Sequence, residues 1–282
     1  MNYRVRKQIN IVLILALFLC LVGTAVYFRY FKLEPTCFDN KRNQNEEGVD
    51  CGGPCFSCER LTIRQPKIDW FEIAPLNESQ YDLIAQISNP NPNFGLVKLN
   101  YAFKYYSASD FLLGEKKGET YILPNQTKYL VEAGINVSQP IERTEIVLAE
   151  APKAEWQRLT SDFELPDLYV YNKQFKILEN QPAKAEASGI IKNKSVYDFD
   201  KVQIAVVLFD ESKKVIGVNK TEARTILAGE ERYFSTLWFN QFKKEMKSAE
   251  FQVDTNLFSQ NNFMRRYGAQ EKFQEYQTEI KK

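Results

Sequence analysis

The chain has 282 residues, of which 44% are hydrophobic, 26% charged and 13% aromatic, with a formal net charge of +1, the mix of folded rather than disordered material. It contains no histidine, which removes Ser-His and Cys-His nucleophile pairs, imidazole metal sites and the usual near-neutral proton shuttle. The first 32 residues carry five of the Lys and Arg and no acid, leaving 32 basic against 36 acidic residues, so the remainder has no electrostatic case for nucleic acid.

Residues 11–28 form the one long uncharged apolar run, and eighteen helical residues span about 27 Å, close to a bilayer's hydrocarbon thickness. Arg4, Arg6 and Lys7 precede it, with no acid before Glu34. The positive-inside bias therefore places residues 1–10 in the cytoplasm, makes 11–31 a signal-anchor helix and exports the rest of the chain. Tyr27, Phe28, Tyr30 and Phe31, interleaved with Arg29 and Lys32, form an interfacial collar. The competing reading is a removable signal peptide cut after Gly23-Thr24-Ala25. Cys20 follows Leu19, where a lipid-attachment box wants a small residue, and has no assigned role.

Cys37, Cys51, Cys55 and Cys58 lie within 22 residues beyond the run. In an oxidising compartment they form two disulfides, with all three pairings open. A zinc site using the Cys55-Phe-Ser-Cys58 gap is the weaker alternative, and a redox-active Cys55/Cys58 pair lacks the strand-to-helix setting. Residues 33–60 thus form a small disulfide-rich knot. Asp39, Asn43, Glu46 and Asp50 also set four oxygen-bearing side chains into twelve residues, a density that calcium loops use, though not at EF-hand spacing. A polar turn whose side chains bond their own backbone is the preferred reading. Calcium is the alternative, and no other cofactor is expected.

The stretch Cys37-Phe-Asp39 through Asn43, Glu46, Gly48-Val-Asp50-Cys51-Gly52-Gly53-Pro-Cys55 resembles a cysteine motif of bacterial surface proteins, C-x-D-G-x-x-N-x-x-E-x-G-V-D-C-G-G-x-C. It departs at Asn40, where the motif has Gly, and Asn tolerates positive φ better than most residues.

Beyond the knot the hydrophobic period is two, with turn signals every 8 to 12 residues. Tyr81, Leu83, Ala85 and Ile87, then Leu99, Tyr101, Phe103 and Tyr105, read as strands with one buried face. Others are expected over 67–73, 127–137 and 144–149. Ala187, Gly189 and Ile191; Val202, Ile204, Val206 and Leu208; Tyr233, Ser235, Leu237 and Phe239; and Ala249, Phe251 and Val253 repeat the order. Ile122-Leu-Pro-Asn-Gln-Thr-Lys128-Tyr129 aligns with Ile226-Leu-Ala-Gly-Glu-Glu-Arg232-Tyr233 at an offset of 104. The predicted class is an all-β ectodomain of two tandem, separately folding β-sandwiches, 61–152 and 167–260. A linker over 153–166 joins them, and a C-terminal helix or tail covers 261–282.

Ile87-Ser-Asn89-Pro90-Asn91-Pro-Asn93-Phe94, with Leu99, Tyr101, Gly114, Gly118, Ile122 and Thr127, resembles the water-stress (WHy) domain of type-2 late embryogenesis abundant proteins. Gly189-Ile-Ile-Lys-Asn193 with Val202 and Val206-Val-Leu208-Phe209-Asp210 resembles the bacterial FxLYD domain, with Val206 and Phe209 replacing its Phe and Tyr. Both resemblances imply an immunoglobulin-like or fibronectin-III-like sandwich, and neither implies catalysis.

The candidate chemistry is weaker than its structural explanation at each position. The Asn89–Asn93 segment reads as a Pro-fixed turn before a ligand site, the Tyr101, Phe103, Tyr105, Tyr106 and Tyr129 group as core before a sugar platform, and Asp162/Glu164 and Glu230/Glu231 as solvated acids before a glycosidase pair. Sequons at Asn77, Asn125, Asn136, Asn193 and Asn219 read as turn residues. The expected function is non-enzymatic: a membrane-anchored, extracytoplasmic binding or scaffolding protein, or else an accessory subunit of an envelope or secretion assembly with envelope proteins as partners. Neither ligand nor oligomeric state is legible.

Overall fold

The computed structural model describes residues 3–27, 37–159 and 165–263. It divides into two compact units, Met1–Thr62 and Ile63–Lys282.

In the first unit, helix α1 (Tyr3–Val26) contains Gln8–Val26, long and apolar enough to cross a membrane. It begins eight residues before the apolar run, because helical hydrogen bonding extends into its polar flank. The proposed collar residues Phe28, Tyr30 and Phe31 lie outside the described residues. Cys20 is exposed on this helix. The knot has only one helical turn, α2 (Cys58–Leu61), and is held by interlaced disulfides Cys37–Cys55 and Cys51–Cys58. Each such closure contributes roughly 2–4 kcal/mol, in place of a core that so few residues cannot build.

The second unit is built from strands. β1 (Lys67–Pro75), β2 (Gln80–Ser88) and β5 (Thr127–Asn136) form one antiparallel sheet in the order β1-β2-β5, and β4 (Leu112–Ile122), β3 (Phe94–Tyr106) and β6 (Arg143–Leu148) form the facing sheet in the order β4-β3-β6. Leu83, Ala85 and Ile87 of the first meet Leu99, Phe103 and Ile146 of the second in a single core. β8 (Leu168–Ile177), β9 (Ala185–Asn193), β10 (Phe199–Phe209), β11 (Val215–Ile226), β12 (Glu231–Trp238) and β13 (Ser248–Asp254) repeat the plan, as β12-β9-β8 against β11-β10-β13.

The edge strand β4 reads poorly in sequence because Lys116 and Lys117 interrupt its pattern, the charge that protects open sheet edges. Its Gly114 and Gly118 face Tyr105 and Tyr101 across the ladder. A Cβ would sit 2.6 Å from the Tyr105 hydroxyl and 2.2 Å from Tyr101 Cζ, so the two rings occupy the space the glycines leave open.

Expectations at four places are adjusted. Residues assigned to the linker are partly structured: a 3-10 turn at Lys153–Glu155 leads into β7 (Trp156–Arg158), which pairs with Phe94–Leu96, and Trp156 is fully buried. Residues 160–164 lie outside the described part. In β12 the buried side chains are Phe234, Thr236 and Trp238, while Tyr233, Leu237 and, just past the strand, Phe239 are exposed. Both alternations are apolar there, so the period does not choose between them. The register does, setting Phe234 opposite Gly189 and Trp238 opposite Ala185, large rings over small residues. At the C-terminal end, Gln260–Asn262 make a 3-10 turn and Phe263 bridges to Phe199, so these positions belong to the second sandwich. The proposed helix beyond them, 264–282, lies outside the described residues.

One buried face per strand does not hold for β2, which buries both from Tyr81 to Ala85, because the outer face of β1-β2-β5 is covered by β10 and β11. Ala74, Ile84 and Val131 pack there against Val207, Val215 and Val218, ringed by Trp70, Tyr129, Ala205 and Phe209. Fully buried aliphatic side chains of this kind contribute about 1.5–3 kcal/mol each.

Candidate functional site

In the knot, Asn40 has φ 57°, the left-handed region that Asn visits at modest cost, and the turn it makes aims amides inward. The backbone N–H groups of Asp39 and Asn40 donate to the Asp50 carboxylate at 3.0 Å. Those of Asn43 and Asp50 donate to Glu46 Oε2 at 3.1 and 3.2 Å. Asp39 accepts from Lys41 N–H at 2.9 Å and from Asn43 Nδ2 at 2.8 Å. The four candidate calcium ligands are therefore brought together, with the carboxylates of Asp39, Glu46 and Asp50 engaged by the loop's own amides as in an Asx-turn network, while the buried Asn43 Oδ1 accepts no hydrogen bond. Cys37, Glu46 and Cys55 also cluster within 4.8 Å, but the two sulfurs are bonded to each other. With all four thiols in disulfides, the thiolate-zinc and redox-pair readings lose their ligands.

Asn89 is almost fully buried. Its Nδ2 donates to the carbonyls of Phe94 at 2.7 Å and Leu123 at 2.8 Å, and its Oδ1 accepts from Asn91 N–H at 3.0 Å. Asn91 in turn donates to and accepts from the Arg64 backbone. These amides are spent inside the protein, and the segment is a clamp that pins the β2–β3 corner to the β4–β5 turn.

Asn193 repeats this arrangement 104 residues on. Its Nδ2 donates to Tyr197 at 2.7 Å and Leu227 at 3.1 Å, and its Oδ1 accepts from Ser195 N–H at 3.0 Å. The clamped turns match as well: Asn125 and Gly229 occupy the same positive-φ position, at 51° and 77°, where Asn and Gly are the favoured residues. Sequence reading missed this pairing, although the 104-residue offset of the Ile-Leu turns pointed to it, because Asn193 lacks the Pro that marks Asn89.

The densest polar chemistry lies where the two sandwiches meet. Asp82, 1% exposed, accepts from Gly134 N–H within its own sandwich and from Val218 N–H of the other, both at 2.8 Å. Burial pushes its carboxyl up to about 6 against the lowering effect of those amides. Glu132 accepts from Tyr101 Oη at 2.7 Å and has Lys220 at 3.6 Å and Lys116 at 3.8 Å. Burial, then Glu132, raise the Tyr101 phenol. Gln252 accepts from Tyr129 N–H and donates to the Thr127 carbonyl, bonding β13 to the start of β5. Lys128 and Asp254, with side chains 5% and 9% exposed, approach to 3.0 Å, and Tyr121 donates to the same carboxylate. Beside this cluster a polar cleft of about 330 Å³ is lined by Glu119, Tyr121, Asp200, Lys201, Asn256 and Ser259, among others.

No family model matches the chain. No curated protein matches it by sequence either. Solved structures with some likeness include β-glucuronidase 2 of Bacteroides uniformis covalently bound to cyclophellitol-6-carboxylate aziridine, 11% identical over 66% of this chain and 25% of that one, with a TM-score of 0.27. Another is red sea bream transglutaminase, 10% identical over 68% and 30%, with a TM-score of 0.23. The chain thus spans 25% and 30% of those proteins' lengths, and a likeness so slight carries no argument about activity.

Proposed function

We propose that this chain is a membrane-anchored, non-enzymatic protein that acts outside the cytoplasm as a binding or scaffolding element. The observation that carries this reading is the order of an apolar helix, Gln8–Val26, followed directly by two interlaced disulfides, since such bonds persist only where the compartment is oxidising. The basic residues Arg4, Arg6 and Lys7 support an N-terminus in the cytoplasm. The two sandwiches are fibronectin-III-like in our reading, on the order β1-β2-β5 against β4-β3-β6 that β8-β9-β12 against β11-β10-β13 repeats, with β7 added to the first. A binding or bracing role is favoured because the buried carboxylates Asp82, Glu132 and Asp254 are engaged in joining the sandwiches.

A second reading, an accessory subunit of an envelope or secretion assembly, draws on the exposed Tyr233 and Leu237 of β12 and Phe239 just past its end, apolar side chains that a partner would cover. The test is fractionation with carbonate, then purification from detergent-solubilised membranes. The anchor requires the full-length chain in the carbonate pellet with no free thiols at Cys37, Cys51, Cys55 and Cys58. A soluble product beginning at Val26 overturns it. Stoichiometric co-purifying proteins would favour the second reading over the first.

A further inference from the structure

Lys128 stands apart from the other lysines in this fold. Its amine is buried between the two sandwiches, 3.5 Å above the Tyr121 ring and 3.0 Å from Asp254 Oδ2, yet makes no well-directed hydrogen bond. An ordinary ion pair on the surface, such as Lys98 with Glu119 at 2.7 Å, is shorter and open to water. The position equivalent to Lys128 in the second sandwich is Arg232, half-exposed and paired with Glu230, a guanidinium without nucleophilic character.

We propose that Lys128 Nζ condenses with the Asp254 carboxyl to form an intramolecular amide that covalently joins the two sandwiches. The parts needed for this reaction are in place. In a dry site two separated charges are costly, and burial lowers the affinity of Lys128 for its proton. Transfer of that proton across the 3.0 Å gap to Oδ2 gives a neutral amine facing a neutral acid. Tyr121 Oη–H donates to Oδ1 and so polarises the carbonyl that the amine attacks, the role of an oxyanion donor.

The nitrogen lone pair forms the Nζ–Cγ bond, and the Cγ–Oδ2 bond breaks. The departing hydroxyl takes a second proton from the nitrogen and leaves as water. Oδ1 remains as the amide oxygen, still accepting from Tyr121, and no oxidant or co-reactant is consumed. Holding both groups in contact inside a fixed frame supplies the high effective concentration that such a condensation needs.

The experiment is mass spectrometry of the full-length wild-type protein, with disulfides reduced, both intact and after trypsin digestion. A linked peptide pair containing positions 128 and 254, lighter than the sum of its parts by one water, is the expected result. It is independent of processing at either end of the chain. Cleavage after Lys128 should be blocked. Lys128→Arg should yield only unlinked peptides. Wild-type protein in which the peptides bearing Lys128 and Asp254 are recovered only separately, at their sequence masses, overturns the proposal and leaves an ordinary buried ion pair.

Discussion

Two kinds of buried polar residue organise the molecule, and each gives a prediction. Asn89 and Asn193 satisfy carbonyls that water cannot reach, and a buried acceptor left without its donor costs roughly 1–3 kcal/mol. Asn89→Ala, which strands the Phe94 and Leu123 carbonyls, should lower unfolding stability by about 2–4 kcal/mol, and Asn193→Ala should do the same in the second sandwich. Asn89→Asp, which keeps the acceptor for Asn91 but loses both Nδ2 donations, should be as damaging as Ala. Urea titration followed by tryptophan fluorescence measures this.

Asp82 gives the second prediction, with its sign opposite to that of an ordinary carboxylate. Its folded value of about 6 lies above its unfolded 3.8, so the folded state holds the proton more tightly. This group's contribution is greatest below pH 3.8 and is lost as pH rises through 6. The shift corresponds to about 3 kcal/mol. Asp210, Glu222 and Glu230, held below their usual range by Lys244, Lys201 and Arg232, act in the reverse sense and lose their contribution on acidification. The comparison is therefore between wild type and Asp82→Asn: on going from pH 7 to pH 5, wild type should gain melting temperature relative to the variant. Parallel curves would mean that Asp82 is hydrated.

At the scale of elements, the knot is closed by covalent bonds and by its own side chains. Asp50 caps the amides of Asp39 and Asn40, so Asp50→Ala should loosen the turn and speed reduction of Cys37–Cys55. Because the same carboxylates are occupied by amides, calcium added to wild-type protein should give no heat in calorimetry. A stoichiometric signal abolished by Asp39→Ala would show that the loop opens to bind the ion.

The strands of both sandwiches are legible in the sequence where apolar and polar residues alternate, as in Tyr81–Ile87 and Val202–Leu208. They are not legible where a strand's place in the sheet depends on something other than alternation. β4 hides its pattern behind edge lysines and two glycines matched to tyrosine rings. β12 offers two apolar phases and is settled only by its partner strand. The site residues divide the same way: the cysteines are evident from spacing, their pairing is not, and Asp82, Lys128 and Asp254 give no signal, since each becomes special only when two distant segments meet.

At the scale of the molecule, the repeat does more than duplicate a fold. The first sandwich presents Ile84 and Val131 on the outer face of its β1-β2-β5 sheet, and the second covers them. At the equivalent positions of β9 and β12 stand Ser188 and Ser235, so the same face of the second sandwich lacks that apolar centre, and of β12 only the flanking Tyr233 and Leu237 are apolar and exposed there. The two halves therefore share a buried boundary rather than standing as beads on a flexible linker.

Hydrogen exchange of the intact chain across a denaturant series, following peptides from β3 and β10 together, tests that joint folding most directly. The account predicts that both sets exchange through one cooperative opening, and that Val218→Asp, which places a charge in the shared boundary, accelerates both by the same factor. Two separate openings, with the substitution affecting β10 alone, would contradict it.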